Sequence, residues 1–240
     1  MALLRKTIAV LLLCLLGAFP ANATTHSKTH SKSHSKSHSK AKSKSKSNPR
    51  PQTVTKRATG PFSTVIIDAG HGGHDPGGIP QNIIPEKYVA LDVALRLSKA
   101  LRKAGFKTVL TRSDDTFISL PQRVAIANAH PDAVFVSIHF NAAPNRDGHG
   151  IETYYSSTSD ILLARAIQRK LMIAIPTLNR GTKQASYYVL RQTKIRAVLA
   201  ECGFLTNPQE AALARTTAYR QKLANQICAA VVEYRNMFKQ

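Results

Sequence analysis

Residues 63–78 read STVIIDAGHGGHDPGG, and this stretch decides how the rest of the chain is read. It opens on a β-branched run, Val65, Ile66 and Ile67, which predicts a buried strand. It then breaks into Asp68-Ala69-Gly70-His71-Gly72-Gly73, where glycines accept backbone conformations that other residues resist. A histidine is thereby placed at the end of a rigid strand in a loop with few side chains to crowd it. In open α/β sheets, ligands bind outside the carboxyl ends of the strands. A phosphate-cradling loop is the rival reading, but neither GxGxxG nor GxxxxGK[ST] is present. A structural turn histidine is the other rival, and the remainder of the chain has to weigh against it.

Downstream, strand and helix patterns alternate. Residues 86–103 carry Val89, Val93, Leu97 and Leu101 on one helical stripe, with Gly105 as the stop. Strands are predicted at 106–111, 133–139, 150–155, 187–190 and 197–201. Helices are predicted at 119–130, 161–175, 208–215 and 217–238. This alternation predicts an α/β domain built on a mostly parallel sheet with helices on both faces. The stretch from 61 to 240 is long enough for one buried core.

Three predicted strands finish near a chemically active group: His71, His139 and Glu201. Glu86 opens the first helix, just after the His71 loop. A carboxylate is favoured at a helix N-terminus for its charge alone, which is one reading of Glu86. The other is ligation: two imidazoles and a carboxylate form a catalytic zinc set, with Glu201 left as a base for water. The ligands are scattered and no compact HExxH is present. Asn141 stands near His139 as a further polar candidate. His74, His130 and His149 read as surface residues and Arg112 as structural.

Charge and composition divide the chain. The formal net charge is +21, and residues 1–60 contain no Asp or Glu. Ten of the cations lie in residues 24–60 and two are Arg5 and Lys6, leaving +9 for residues 61–240. Residues 1–23 read as a secretory signal peptide, with Arg5 and Lys6 as the charged start, residues 8–16 as the apolar core and Ala21-Asn22-Ala23 as the cleavage site. The apolar run is shorter than the ~20 residues a membrane-spanning helix needs. Export to the periplasm, the cell wall or the exterior is therefore expected. Lipid modification of Cys14 is disfavoured because Leu13 before it is not small.

Residues 24–60 repeat a His-Ser-Lys unit at His26, His30, His34 and His38 and contain nothing that can bury a core. A disordered basic linker is expected: its lysines suit attraction to anionic envelope polymers, its histidines suit metal capture, and a plain solvated linker is the bland reading. Stacking aromatics, zinc fingers and helix-turn-helix patterns are all missing, so nucleic acid is not the expected partner. After cleavage Cys202 and Cys228 remain, and spacing alone leaves open whether they pair.

Taken in order, VIIDAGHGGHDPGG (65–78), PEKYVALDVALRL (85–97), TVLTRSDD (108–115), RVAIANA (123–129), FVSIHFNAA (135–143), GIETYY (150–155), YVLR (188–191) and LAECGFLTN (199–207) resemble the zinc-dependent N-acetylmuramoyl-L-alanine amidases of bacteria, the amidase type 3 family. The resemblance covers essentially the whole folded part. It departs at Phe140, where a small residue is more usual, and at Cys202, where the family varies. It implies a single domain, a twisted sheet of about six strands, with His71, Glu86 and His139 as ligands of Zn2+ and Glu201 as the catalytic residue. The implied substrate is peptidoglycan, cut at the amide between N-acetylmuramic acid and the L-alanine of the stem peptide. Some cell-division relatives insert a blocking helix after the strand at 150–155. The short connection here implies an open site that needs no obligatory activator, and a monomer is expected. Two rival readings stand beside this one: a non-catalytic peptidoglycan-binding module of the same fold, and a cysteine hydrolase using Cys202.

Overall fold

A computed structural model of the chain describes residues 60–78 and 84–239. The expected signal peptide and all of the basic linker except Gly60 lie outside the described residues. Six strands form one sheet: β1 (Thr64–Ala69), β2 (Lys107–Leu110), β3 (Ala133–Asn141), β4 (Ile151–Tyr155), β5 (Asn179–Gln184) and β6 (Arg196–Phe204), in the order β2-β1-β3-β6-β4-β5. Strands β2, β1, β3 and β6 are parallel, while β4 runs antiparallel to β6 and β5 follows β4. The carboxyl ends of β1, β3 and β6 therefore share one edge of the sheet with the start of β4.

Helices α1 (Glu86–Lys103), α2 (Leu120–Asn128), α3 (Ile161–Ala174), α4 (Tyr188–Gln192), α5 (Pro208–Arg215) and α6 (Thr217–Asn236) complete the domain. Alternate strand residues face opposite sides, and each side has its own core. Val65, Ile67, Val136, Ile138, Val198 and Ala200 pack with residues of α1, α3 and α6. On the other face Ile66, Phe135, Ala197 and Leu199 pack with Val124 and Ala127 of α2 and Val189 and Leu190 of α4. Apolar stripes on the long helices supply the first core, since hydrophobic burial is worth roughly 25 cal/mol per Å². Among the described residues no helix is long and apolar enough to cross a membrane.

The fold class expected from the sequence is the observed one, with two local corrections. The stretch 187–190 is not a strand: residues Tyr188–Gln192 form a single helical turn. A four-residue apolar run fits either state, and Val189 and Leu190 are buried by lying against α2 rather than by pairing. The strand of this region is β5, NRGTKQ, whose polar edge position leaves no apolar alternation to find. Nor do His139 and Glu201 end their strands: β3 continues to Asn141 and β6 to Phe204.

Candidate active site

The site is built where β1, β3 and β6 reach their common edge. Beyond β1, His71 takes a left-handed backbone, φ 60°. That conformation is uncommon outside glycine, although histidine is among the residues that tolerate it. Two buried arginines hold it. Arg112 donates from Nε to the Ala69 carbonyl and from Nη2 to the carbonyls of Gly70 and Lys87. Arg123 donates from Nη1 to the Ala69 carbonyl and from Nη2 to the His71 carbonyl. Arg112, read as structural from the sequence, is thus one of two clamps on the loop. Gly70 has to be glycine because a Cβ there would lie 2.4 Å from His139 Cε1.

Three predicted site residues converge. Glu86 is the first residue of α1 and only 3% exposed. Its Oε2 lies 3.0 Å from His71 Nε2 and its Oε1 lies 2.9 Å from His139 Nδ1. The backbone N–H groups of Gly78 and Phe140 donate to the same two oxygens. The potential ligand atoms of His71, Glu86 and His139 all lie within 4.8 Å of one another. Burial opposes the charge of Glu86, but hydrogen bonds from His139 and His71 outweigh it and hold the carboxyl well below its usual range. Burial likewise opposes a charged His71, yet hydrogen bonds to Asp75 and Glu86 push it up to about 10. His71 Nδ1, 2.9 Å from Asp75 Oδ2, is held there with Nε2 turned to the cluster. An outer carboxylate of this kind is what orients a metal-binding imidazole.

Glu201 stands next to this cluster, opposite His139 in the β3–β6 register. Its Oε2 is out of water and has no hydrogen-bond partner among the described residues. Burial, then the negative charges of Glu86 and Glu152, push its carboxyl well above the usual range. Just past this pair the register slips, with His139 opposite Glu201 but Asn141 opposite Phe204. The extra residue on β6 is a bulge at Gly203, φ 130°, closed by Glu210 Oε2 accepting from the Phe204 N–H. Bulges of this kind re-aim side chains beside active sites.

The next strand over supplies a residue that sequence reasoning missed. Glu152, 2% exposed, lies opposite Glu201 in the β4–β6 register. Its Oε1 accepts from Asn141 Nδ2 and Tyr154 OH, both at 2.7 Å. Its Oε2 accepts from Arg180 Nε at 2.9 Å and from Lys183 Nζ. Burial opposes its charge, and hydrogen bonds from Lys183, Tyr154 and Arg180 overcome this and hold it below the usual carboxylate range. Asn141 is therefore tied to Glu152.

His74 and His149 are exposed and His130 is half-buried, all outside the cluster. Cys202 and Cys228 are both free and buried. Cys202 sits in the core on the far face from Glu201, with its thiol pushed up by burial, so it is no candidate nucleophile.

The family description N-acetylmuramoyl-L-alanine amidase (Amidase_3) matches residues 65–233, and the chain belongs to that family. N-acetylmuramoyl-L-alanine amidase LytC of Bacillus subtilis (strain 168) is 39% identical over 175 residues, a match covering 71% of this chain and 35% of LytC. The crystal structure of N-acetylmuramoyl-L-alanine amidase from Clostridium difficile 630 is similar with TM-score 0.69 and 37% identity, over 72% of this chain and 97% of that one. The catalytic domain of CwlV, N-acetylmuramoyl-L-alanine amidase from Bacillus (Paenibacillus) polymyxa var. colistinus, gives TM-score 0.70 and 35% identity, over 72% and 98%.

Proposed function

We propose that this chain is an exported zinc-dependent N-acetylmuramoyl-L-alanine amidase, cutting the amide between N-acetylmuramic acid and L-alanine in peptidoglycan. The observation that carries this reading is the convergence of His71, Glu86 and His139 beside Glu201. Two imidazole nitrogens and a buried carboxylate oxygen, with one imidazole braced by an outer carboxylate, are the donor set a catalytic zinc takes. His71, Glu86 and His139 would hold the ion. When bound, zinc supplies Lewis acidity, lowering the pKa of water and polarising a carbonyl oxygen. Glu201 takes the proton as water attacks the amide carbonyl, then delivers it to the leaving amine of alanine. The unpartnered Oε2 of Glu201 is the atom available for that proton. Glu152, held ionised by its four donors, remains a fixed negative charge beside it.

The reading predicts that the purified chain releases stem peptides from isolated peptidoglycan sacculi without a second protein. Between β4 and α3 lie only residues 156–157 and a 3-10 turn, Thr158–Asp160, too little chain for a blocking helix of roughly ten residues. A chelator should abolish release and added zinc restore it, while a thiol-alkylating reagent should have no effect. Chelator-resistant release would remove the metal from the mechanism. Binding to sacculi with no release at any zinc level would favour a non-catalytic binding module.

The basic segment 24–60 is assigned a tethering role. Attraction between its lysines and anionic envelope polymers is screened as the Debye length falls from about 10 Å at 0.1 M salt to about 3 Å at 1 M. Deleting residues 24–60 should therefore weaken sedimentation with sacculi at low salt and change little at high salt, leaving turnover of a small soluble substrate as it was. Loss of that turnover would instead tie the segment's histidines to the chemistry.

A further inference from the structure

The row of side chains that crosses the sheet does not stop at the base. His139 on β3, Glu201 on β6 and Glu152 on β4 are register partners and so share a sheet face. Tyr154, two residues after Glu152, is on that face too, and its partner on β5 is Lys183. The row therefore runs from the candidate metal ligands through the base to a buried carboxylate and then to two cations, Lys183 and Arg180. Both bind the same oxygen, Glu152 Oε2.

Neutralising Glu152 does not require both. Its Oε1 already accepts from Asn141 and Tyr154, and one cation would balance its charge. Glu152 with Arg180 and Lys183 carries a net positive charge instead. The cations are also open to solvent where the carboxylate is not: their side chains are 32% and 40% exposed, against 2% for Glu152. Arg180 is fixed further by its guanidinium lying 5.0 Å from the centre of the Phe204 ring and by Nη1 donating to the His149 carbonyl. Lys183 has three donors, and among the described residues Glu152 is their sole acceptor. Fixing long cationic side chains in advance lowers the entropy cost of binding an anion.

We propose that Arg180 and Lys183, held by Glu152, form a carboxylate-recognition site for an acidic peptide on the alanine side of the cut amide. The inference rests on the amidase reading above. Distance supports it: β5 lies two strands from β6, roughly 10 Å at about 4.8 Å per strand, and both cationic side chains reach back to Glu152, the register partner of Glu201 on the strand between. An extended peptide rises about 3.3 Å per residue, so a carboxylate on the residue after alanine falls roughly 7–10 Å from the amide.

The test uses the full zinc-loaded chain and two soluble muropeptides that differ only in whether the residue after alanine carries a free α-carboxylate or its amide. The free carboxylate should be favoured in kcat/KM by roughly ten- to a hundredfold, chiefly through KM, as expected for a charge-assisted hydrogen bond. Lys183→Gln should collapse that ratio towards one, and Lys183→Arg should retain most of it. Glu152 keeps Arg180, Asn141 and Tyr154 in the Gln variant, so the fold should survive. A wild-type ratio near one, or an unchanged ratio in Lys183→Gln, overturns the proposal while leaving the amidase reading intact. If neither muropeptide is cut, the amidase reading fails, and calorimetric binding of the same pair decides: a preference lost in Lys183→Gln supports the anion site, and equal binding overturns it.

Discussion

Replacing Glu201 with glutamine is expected to reduce the rate of stem-peptide release by about 10²–10⁴ while leaving the fold and the zinc content unchanged. The carboxyl stands beside the His71–Glu86–His139 cluster without belonging to it. Its Oε2 forms no hydrogen bond that the substitution would break. Glutamine keeps the size of the side chain and removes its capacity to take a proton. The loss should therefore appear in kcat, with thermal unfolding and metal content per chain matching the wild type. His71→Ala and His139→Ala supply the contrast, because they should lose zinc together with activity. A Glu201→Gln protein working within a few-fold of wild type at full zinc content would remove Glu201 from the role of base.

How much of this site could be read from the chain depended on how each residue announces itself. His71 and Glu201 stand out because each interrupts or closes a short apolar run, and His139 because it follows one in AVFVSIH. Glu86 was legible as a residue at a helix start, but its position there is equally explained by the helix dipole. What separates the two readings is contact with two histidines, one of them more than fifty residues away. Glu152 was invisible for a different reason. In GIETYY it alternates like any outward-facing strand residue, and only the β4–β6 register sets it beside Glu201. That register comes from β4 and β5 running opposite to the other four strands, with β4 pairing antiparallel to β6, which local periodicity does not encode. Asp75 was hidden by its turn, where aspartate before proline is ordinary turn chemistry. Strand β5 was missed because an edge strand needs no apolar face, yet it carries the two cations of the row.

Beneath the site, Asp68→Asn is expected to destabilise the fold by about 3–5 kcal/mol at neutral pH, the usual cost of removing one partner from a buried ion pair. Asp68 is 1% exposed, and its carboxylate accepts from Arg123 Nη1 at 2.6 Å, Thr111 Oγ1 at 2.7 Å and Ser137 Oγ at 2.7 Å. Asparagine preserves the shape but leaves the Arg123 charge uncompensated. Arg112, also buried, is already pushed down by burial and by Arg123, so the variant would place two facing cations in a dry site without their carboxylate. The pH dependence has a definite sign. Burial tends to raise the Asp68 pKa, but the Arg123 charge and the three hydrogen bonds outweigh it, and the folded value lies below the ordinary 3.8. A depressed carboxylate contributes stability that is fully present above its unfolded pKa, near 3.9, and is lost as pH falls through the folded value. Urea unfolding should therefore show the largest gap between wild type and variant at pH 6–7, and a narrowing gap below about pH 4. Because Arg123 also holds the His71 carbonyl, the same variant should bind zinc more weakly even where it remains folded. A gap below about 1 kcal/mol at neutral pH, or one that does not change in acid, would show that the Asp68–Arg123 pair is not what holds the His71 loop.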